Sequence, residues 1–205
     1  MLQAVGQYYA DRLERFGPTP RGVDWNSAES QALRFGRLLE VVTPSEGPEH
    51  RSILDVGCGY GALLDHLLAG GMRLHYRGFD VSEPMIAAAQ ARHAGVAHAA
   101  FSSDVEALQP ATYAVASGIF NVKLSYDAEL WRGHVLDTLA LLHRWSTAGF
   151  AFNLLSTYSD PDRRRDDLFY ADPGEIFDLC MRRFSSRVAL LHDYPLFEFT
   201  VLVRK

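Results

Sequence analysis

The 205-residue chain predicts an α/β domain. Its core would be a seven-stranded, mostly parallel sheet with a reversed C-terminal strand, helices on both faces and a helical extension at the N-terminus. Three observations carry this expectation. From residue 51 onward, short apolar runs alternate with helical patterns, as repeated strand–helix units of a parallel sheet do. The last two apolar runs, 186–194 and 196–205, are joined by a turn at Asp193-Tyr194-Pro195, and so short a connection joins only antiparallel strands. Ahead of residue 51 stand two helical patterns and no strand pattern.

The first helix, "LQAVGQYYADRLERF", places Leu2, Val5, Tyr9, Leu13 and Phe16 near one face. "GPTPRGVDW" breaks the chain with its prolines and glycines. "NSAESQALRFGRLLEVV" follows, with Asn26 or Ser27 as N-cap and Ala28, Leu33, Leu38 and Leu39 apolar. "TPSEGPEH" is then a linker. Residues 1–45 are thus expected to form an N-terminal helical lid or extension, and residues 46–205 the ligand-binding domain, in one compact unit of ordinary domain size.

Strands are expected in "RSILDVG", "LHYRGFD", "VAHAAFS", "TYAVASGIF" and "AGFAFNLLS". Helix "GALLDHLLAG" stops at Gly70-Gly71, and "SEPMIAAAQARHAG" starts with Ser82 as cap and Pro84 in its first turn. "AELWRGHVLDTLALLHRW" and "DPGEIFDLCMRRF" complete the helices, the latter after a loop through Arg165.

Hydrophobic residues make up 48% and charged residues 22%, the balance of a soluble globular chain. A net charge of −5 argues against a general nucleic-acid binder, which carries a basic excess. Arg163, Arg164 and Arg165 are the local exception, but Asp160, Asp162, Asp166 and Asp167 surround them, as in a solvated loop. Cys58 and Cys180 form no CxxC pair, so neither a zinc site nor a disulfide framework is expected. Charges come too early for a signal peptide and no apolar run reaches the ~18 residues of a membrane span, so the expected place is the cytoplasm, without membrane.

The stretch "ILDVGCGYGALLDHL" holds the chemistry. An apolar run ends in Asp55, then glycines stand at 57, 59 and 61 before a helical pattern resumes. Glycine allows tight positive-φ backbone and close approach of a ligand, and a helix N-terminus offers free N–H groups to an anion. Asp80, at the end of the second strand, is placed to accept both hydroxyls of a ribose. The ligand should therefore contain a ribose and an anionic group. Two classes fit these residues: "GCGYGA" reads as the G-x-G-x-x-A turn of a nicotinamide dinucleotide site, and equally as D-x-G-x-G-x-G.

In the second reading, residues 51–205 resemble the class I S-adenosylmethionine-dependent methyltransferases, whose fold is Rossmann-like. The aspartate two residues before the first glycine, the extra glycine at Gly61 and the closing antiparallel pair carry the likeness. "YYADRLERFGPTPRGVDWNS" is further similar to small stand-alone bacterial members. The resemblance implies S-adenosyl-L-methionine as cofactor. Asp55, Gly57, Cys58, Gly59 and Gly61 would cradle its methionine end, Cys58 through its backbone. Asp80 would hold the ribose, Val81 and Met85 would flank the adenine, and Asp104 and Val105 would meet its edge. Ser117 and Gly118 would lie near the sulfonium. Met85 also reads as a core residue, and Asp104 as an ordinary helix cap.

Family members acting on base amino groups resemble one another in an [N/D]-P-P-[Y/F] tetrad after the fourth strand. Here "SGIFNVK" stands there, which disfavours nucleic acid. The paired acids of metal-dependent catechol methyltransferases are absent, so no metal is expected. Acceptor candidates beyond the strand ends are Asn121, Lys123, Tyr126, Asn153 and Tyr158, joined by Tyr8, Tyr9, Trp25 and Asn26. Asn121, Tyr126 and Trp25 are the catalytic candidates. Tyr8 and Tyr9, adjacent on a helix, face different sides. His134, His143 and His192 are bases without a marked partner. The expected reaction is methyl transfer to a small molecule at N or O. Protein or RNA methylation, a nicotinamide oxidoreductase and a non-catalytic nucleotide-binding module are the alternatives.

Overall fold

The computed structural model describes residues 1–43 and 51–205. The expected linker over 43–50, apart from Thr43, and the boundary at residue 45 lie outside the described residues. Helix α1 (Leu2–Phe16) leads through a 3-10 turn (Pro20–Val23) to α2 (Ala28–Leu39). Then follow β1 (Ser52–Val56), α3 (Ala62–Ala69), β2 (His75–Phe79), α4 (Glu83–Arg92), β3 (Ala99–Ser102) and β4 (Ala111–Ala116). Next come α5 (Ala128–Trp145), β5 (Ser146–Ser156), β6 (Tyr170–Ala171), α6 (Pro173–Arg183), β7 (Arg187–Leu191) and β8 (Glu198–Arg204).

The strands lie in the order β3-β2-β1-β4-β5-β8-β7. All pairings are parallel except those of β8, which runs antiparallel to both β5 and β7. The strand order reverses at β1, so the glycine turn after it opens into the crevice where such sheets take ligands. Two apolar layers seal the sheet. Phe35, Leu38, Leu63, Leu64 and Leu67 of α2 and α3 pack on one face, and Trp131, Val135, Leu139 and Leu142 of α5 on the other. Burying each such side chain stabilises the fold by about 1.5–3 kcal/mol. Among the described residues no helix is long and apolar enough to cross a membrane.

The sheet has the architecture its sequence predicts, with local departures. β5 starts at Ser146, directly after α5, and not at residue 148. β6 was not anticipated; two residues beside Leu155 and Ser156 are too short for any period to register. Ser82 precedes α4 but gives no side-chain cap; its amide donates to Asp80 Oδ1 at 2.9 Å and its Oγ is buried without a partner. Ser27, in contrast, forms a reciprocal capping box with Ser30. The apolar face of α1 is only partly covered: Val5 is buried, Tyr9, Leu13 and Phe16 are half-buried, and Leu2 is 47% exposed. α1 reaches the rims of the cavity described below, where a wall and not a core is required.

Candidate active site

After Val56 the chain turns through Gly57, Gly59 and Gly61 at φ +77°, +52° and +84°, a region that L side chains rarely adopt. The turn is pinned to the end of β2: the amides of Gly57 and Cys58 both donate to the Phe79 carbonyl, at 2.7 and 3.0 Å. The Gly59 amide donates to Asp80 Oδ2 at 2.9 Å. With the Ser82 amide on its other oxygen, Asp80 is held at the strand tip by two backbone donors. A Cβ on Gly61 would lie 2.8 Å from His93 Nε2, so this third glycine serves the close approach of α3 to α4. Among the described residues the amide of Tyr60, in the turn, and that of Ala62, the first residue of α3, find no partner.

A cavity of about 410 Å³ opens over the ends of β1, β2 and β4. Asp55 through Tyr60 and Asp80 line it below, Val81, Met85, Ser103 and Val105 on one side, and Ser117, Gly118 and Ile119 on another. Tyr9, Val23 and Trp25 reach it from the N-terminal segment. Asp55 is buried and accepts the Tyr76 hydroxyl at 2.6 Å. Burial pushes its pKa up to about 7; the Tyr76 bond opposes this and the nearby Asp80 adds to it. Burial also raises Asp80, against its two amide donors. Ser117 Oγ is buried with no partner among the described residues, an orphan where a ligand atom would satisfy it. The site is thus an acidic, donor-lined crevice beside apolar walls.

Residues 53–146 match the family described as "Methyltransferase domain". A protein of Mycobacterium tuberculosis (strain ATCC 25618 / H37Rv), Rv1506c, provisionally named a methyltransferase, is 56% identical over 155 residues, which are 75% of this chain and 93% of that protein. This chain belongs to the class I S-adenosylmethionine-dependent methyltransferases. The fold agrees. The structure of magnesium protoporphyrin IX methyltransferase (ChlM) from Synechocystis PCC 6803 with bound SAH superposes at TM-score 0.64, with 16% identity and 99% of each chain covered. DhpI in complex with SAH also gives 0.64 at 16% identity, over 99% of this chain and 96% of that one.

As a methyltransferase, the chain takes S-adenosylmethionine as its cofactor, and the crevice fits that molecule's chemistry. Buried acids await a cation, Asp80 stands at the tip of β2, the free amides of Tyr60 and Ala62 await an anion, and Ser117 awaits a polar partner. Of the cradle residues expected from sequence, Asp55, Gly57, Cys58, Gly59, Asp80, Val81, Met85, Val105, Ser117 and Gly118 line the cavity. Two do not. Gly61 packs on His93, as above, and Asp104 is exposed, its Oδ1 accepting the Glu106 amide as the cap of a 3-10 turn. The backbone role expected of Cys58 is also altered, because Phe79 already takes its amide. Among the described residues no group of three His, Cys, Asp or Glu side chains is placed to hold a metal ion.

The acceptor candidates divide more sharply. Tyr9 and Trp25 line the cavity; Tyr8, Asn26, Asn121, Lys123, Tyr126, Asn153 and Tyr158 do not. The Tyr8 hydroxyl instead donates to Asp24, which also pairs with Arg12. Burial and then the Asp24 bond push its pKa up to about 12. Asn26 is exposed, and Tyr158 is 73% exposed beside His192. Lys123 Nζ donates to the Tyr126 carbonyl within its own loop, and Asn121 is buried in the same loop with its Oδ1 unpartnered. Sequence reasoning missed Val23, Gln31, Phe35 and the α5 residues Trp131, Thr138, Leu141 and Trp145, all on the cavity wall, where His134, a candidate base from sequence, joins them. Their helical spacing reads as core, and spacing alone does not reveal what faces a helix.

Asn153 acts from behind. It is wholly buried on β5, where its Oδ1 accepts the Gly118 amide at 2.8 Å and its Nδ2 donates to Glu198 Oε1 at 3.1 Å. Glu198 Oε2 receives Arg34 Nε at 2.9 Å, and the Arg34 guanidinium lies 3.9 Å over the Trp25 ring. The indole in turn abuts Gly118, whose Cβ, were there one, would lie 2.3 Å from Trp25 Cζ2. A closed ring of contacts therefore fixes Gly118 and Trp25 together through α2, β5 and β8.

Proposed function

We propose that this chain transfers a methyl group from S-adenosylmethionine to a small molecule, at a nitrogen or oxygen atom. The observation that carries the reading is the roof. Tyr9, Val23 and Trp25 line the crevice from the N-terminal segment and narrow it to a half-open space of small-ligand size. A nucleic-acid strand would need an open basic track, and the net charge is −5. The named substrates of fold neighbours, magnesium protoporphyrin IX and phosphoethanolamine, are small molecules as well, and this supports the reading.

When bound, S-adenosylmethionine supplies a methyl group already activated by positive sulfur. What remains for the chain is to hold, orient and keep dry. Asp80 offers a carboxylate at the tip of β2, Asp55 an acid that burial keeps protonated up to about pH 7, and Ser117 a hydroxyl, while the buried Asn153–Glu198–Arg34 ring keeps Gly118 and Trp25 in place. The test is turnover of labelled S-adenosylmethionine with a panel of small hydroxyl and amino compounds, set beside total RNA and a protein extract. Transfer into small molecules is expected. Transfer into RNA or protein, with none into small molecules, would overturn the proposal.

A further inference from the structure

The cavity has a second lobe, on the α5 face of the sheet. Val56 and Phe79, the last residues of β1 and β2, line its floor. Trp131, Thr138, Leu141 and Trp145 form one stripe of α5 along its wall, and Leu2 and Val5 of α1 cover it. The chain's own connectivity explains the space. A right-handed crossover from β3 to β4 belongs on the same face as α5, beside this stripe. Residues 103–110 supply only a 3-10 turn at Val105–Ala107, so no crossover helix packs there. The stripe packs into the core through Trp131 and Trp145 and at the same time lines the cavity.

The same cavity has no lysine or arginine among its lining residues. Of the nearby guanidinium groups, Arg34 pairs with Glu198 and Arg12 with Asp24, while Arg144 lies 5.7 Å over the Trp145 ring. The polar end is acidic, through Asp55 and Asp80. A phosphate or carboxylate entering the lobe would lose its water and meet no lysine or arginine of the lining, the Met1 ammonium near His134 being the cation at hand. His134, one turn beyond Trp131, is the titratable side chain of the lobe among the described residues. Its ring lies 5.1 Å from that of Trp131, and burial holds its pKa below the ordinary value. A neutral imidazole in an apolar wall can anchor a hydroxyl or amine.

We infer that the methyl acceptor carries an apolar, ring-sized body that lodges between α1 and α5, and that a neutral or cationic head is preferred there over a phosphate or carboxylate. The inference rests on the small-molecule reading above. Calorimetry on the full chain, with and without S-adenosylhomocysteine, can compare the near-isosteric pair 1-naphthaleneacetamide and 1-naphthaleneacetate. The amide is expected to bind at least tenfold more tightly than the acid. Leu141→Arg should weaken the amide at least tenfold while S-adenosylhomocysteine affinity stays within twofold. Leu2→Arg, at a 47% exposed rim position, should act in the same direction without loading the core. Equal or tighter binding of the acid overturns the inference, as does no binding of the amide, or amide affinity unchanged in both variants. The wild-type comparison needs no variant, so misfolding of either cannot shield the idea. Methylation of RNA or protein with the amide still selected would refute the small-molecule reading and leave the lobe. Turnover of an anionic small acceptor in preference to its neutral counterpart would do the reverse.

Discussion

At the scale of single residues, Asp55 and Asp80 dominate the site. The folded pKa of Asp55, about 7, lies above its ordinary value of 3.8, so the fold favours the protonated acid. Its contribution to stability is full below the ordinary value and is lost as pH rises through about 7. The difference in melting temperature between Asp55→Asn and wild type should therefore grow in favour of the variant from pH 5 to pH 8. A ligand bearing an ammonium group should bind with proton release across the same window, read by calorimetry in buffers of different ionisation enthalpy; a pH-independent difference would show that Asp55 is ionised throughout. For Asp80, charge-assisted hydrogen bonds are worth about 1.5–3 kcal/mol each. Asp80→Ala is expected to weaken S-adenosylhomocysteine at least tenfold, and unchanged affinity would remove Asp80 from the ribose site.

At the scale of elements, the N-terminal segment divides in two. α2 belongs to the core: Phe35, Leu38 and Leu39 pack with β1 and α3, and Arg34 reaches buried Glu198. α1 and the following 3-10 turn bury little and cover the cavity. If a lid exists, it is residues 1–25, hinged in the breaker-rich stretch, and not the whole of 1–45. Hydrogen exchange should show residues 1–25 gaining protection with S-adenosylhomocysteine while α2 stays unchanged, and Trp25→Ala should lower affinity or turnover without unfolding. Equal protection in both states, with Trp25→Ala behaving as wild type, would make α1 a fixed wall. Removing Arg34 would strand the Glu198 carboxylate, so Arg34→Met should cost about 3–5 kcal/mol in urea unfolding. A loss below 1 kcal/mol would mean that water or protonation already relieves Glu198.

For the whole molecule, cofactor binding and fold stability are linked by mass action. S-adenosylhomocysteine at a hundredfold its dissociation constant should add about 2.7 kcal/mol to stability. For a chain of this size that is roughly 5–11 °C in melting temperature. NAD should give no comparable shift; an equal shift would return the glycine turn to the dinucleotide reading. The comparison is cheap because the turn, Asp80 and the partnerless amides lie in a single crevice.

The sequence by itself determined the sheet and its winding, and it marked the glycine turn after β1. Period-2 and helical patterns are local, and the short final turn dictates the reversed strand, so neither needed long-range information. The D-x-G-x-G-x-G turn and Asp80 were legible because positive-φ glycines and a strand-tip acid are constrained one residue at a time. Only the tertiary structure decided which of the candidates line the cavity. Asn153 lies in the last part of β5, near the pocket in sequence, yet its side chain is taken up by the Gly118 amide and by Glu198 of the neighbouring strand β8. Tyr8 and Tyr9 are neighbours, and helix phase alone did not say which would meet the cavity. Trp131, His134, Thr138, Leu141 and Trp145 have the spacing of a core stripe, and they also line the cavity, where the distant β3–β4 connection supplies no helix to cover them. Periodicity reports that a face is apolar; what fills the space before that face is set by segments far away in the chain.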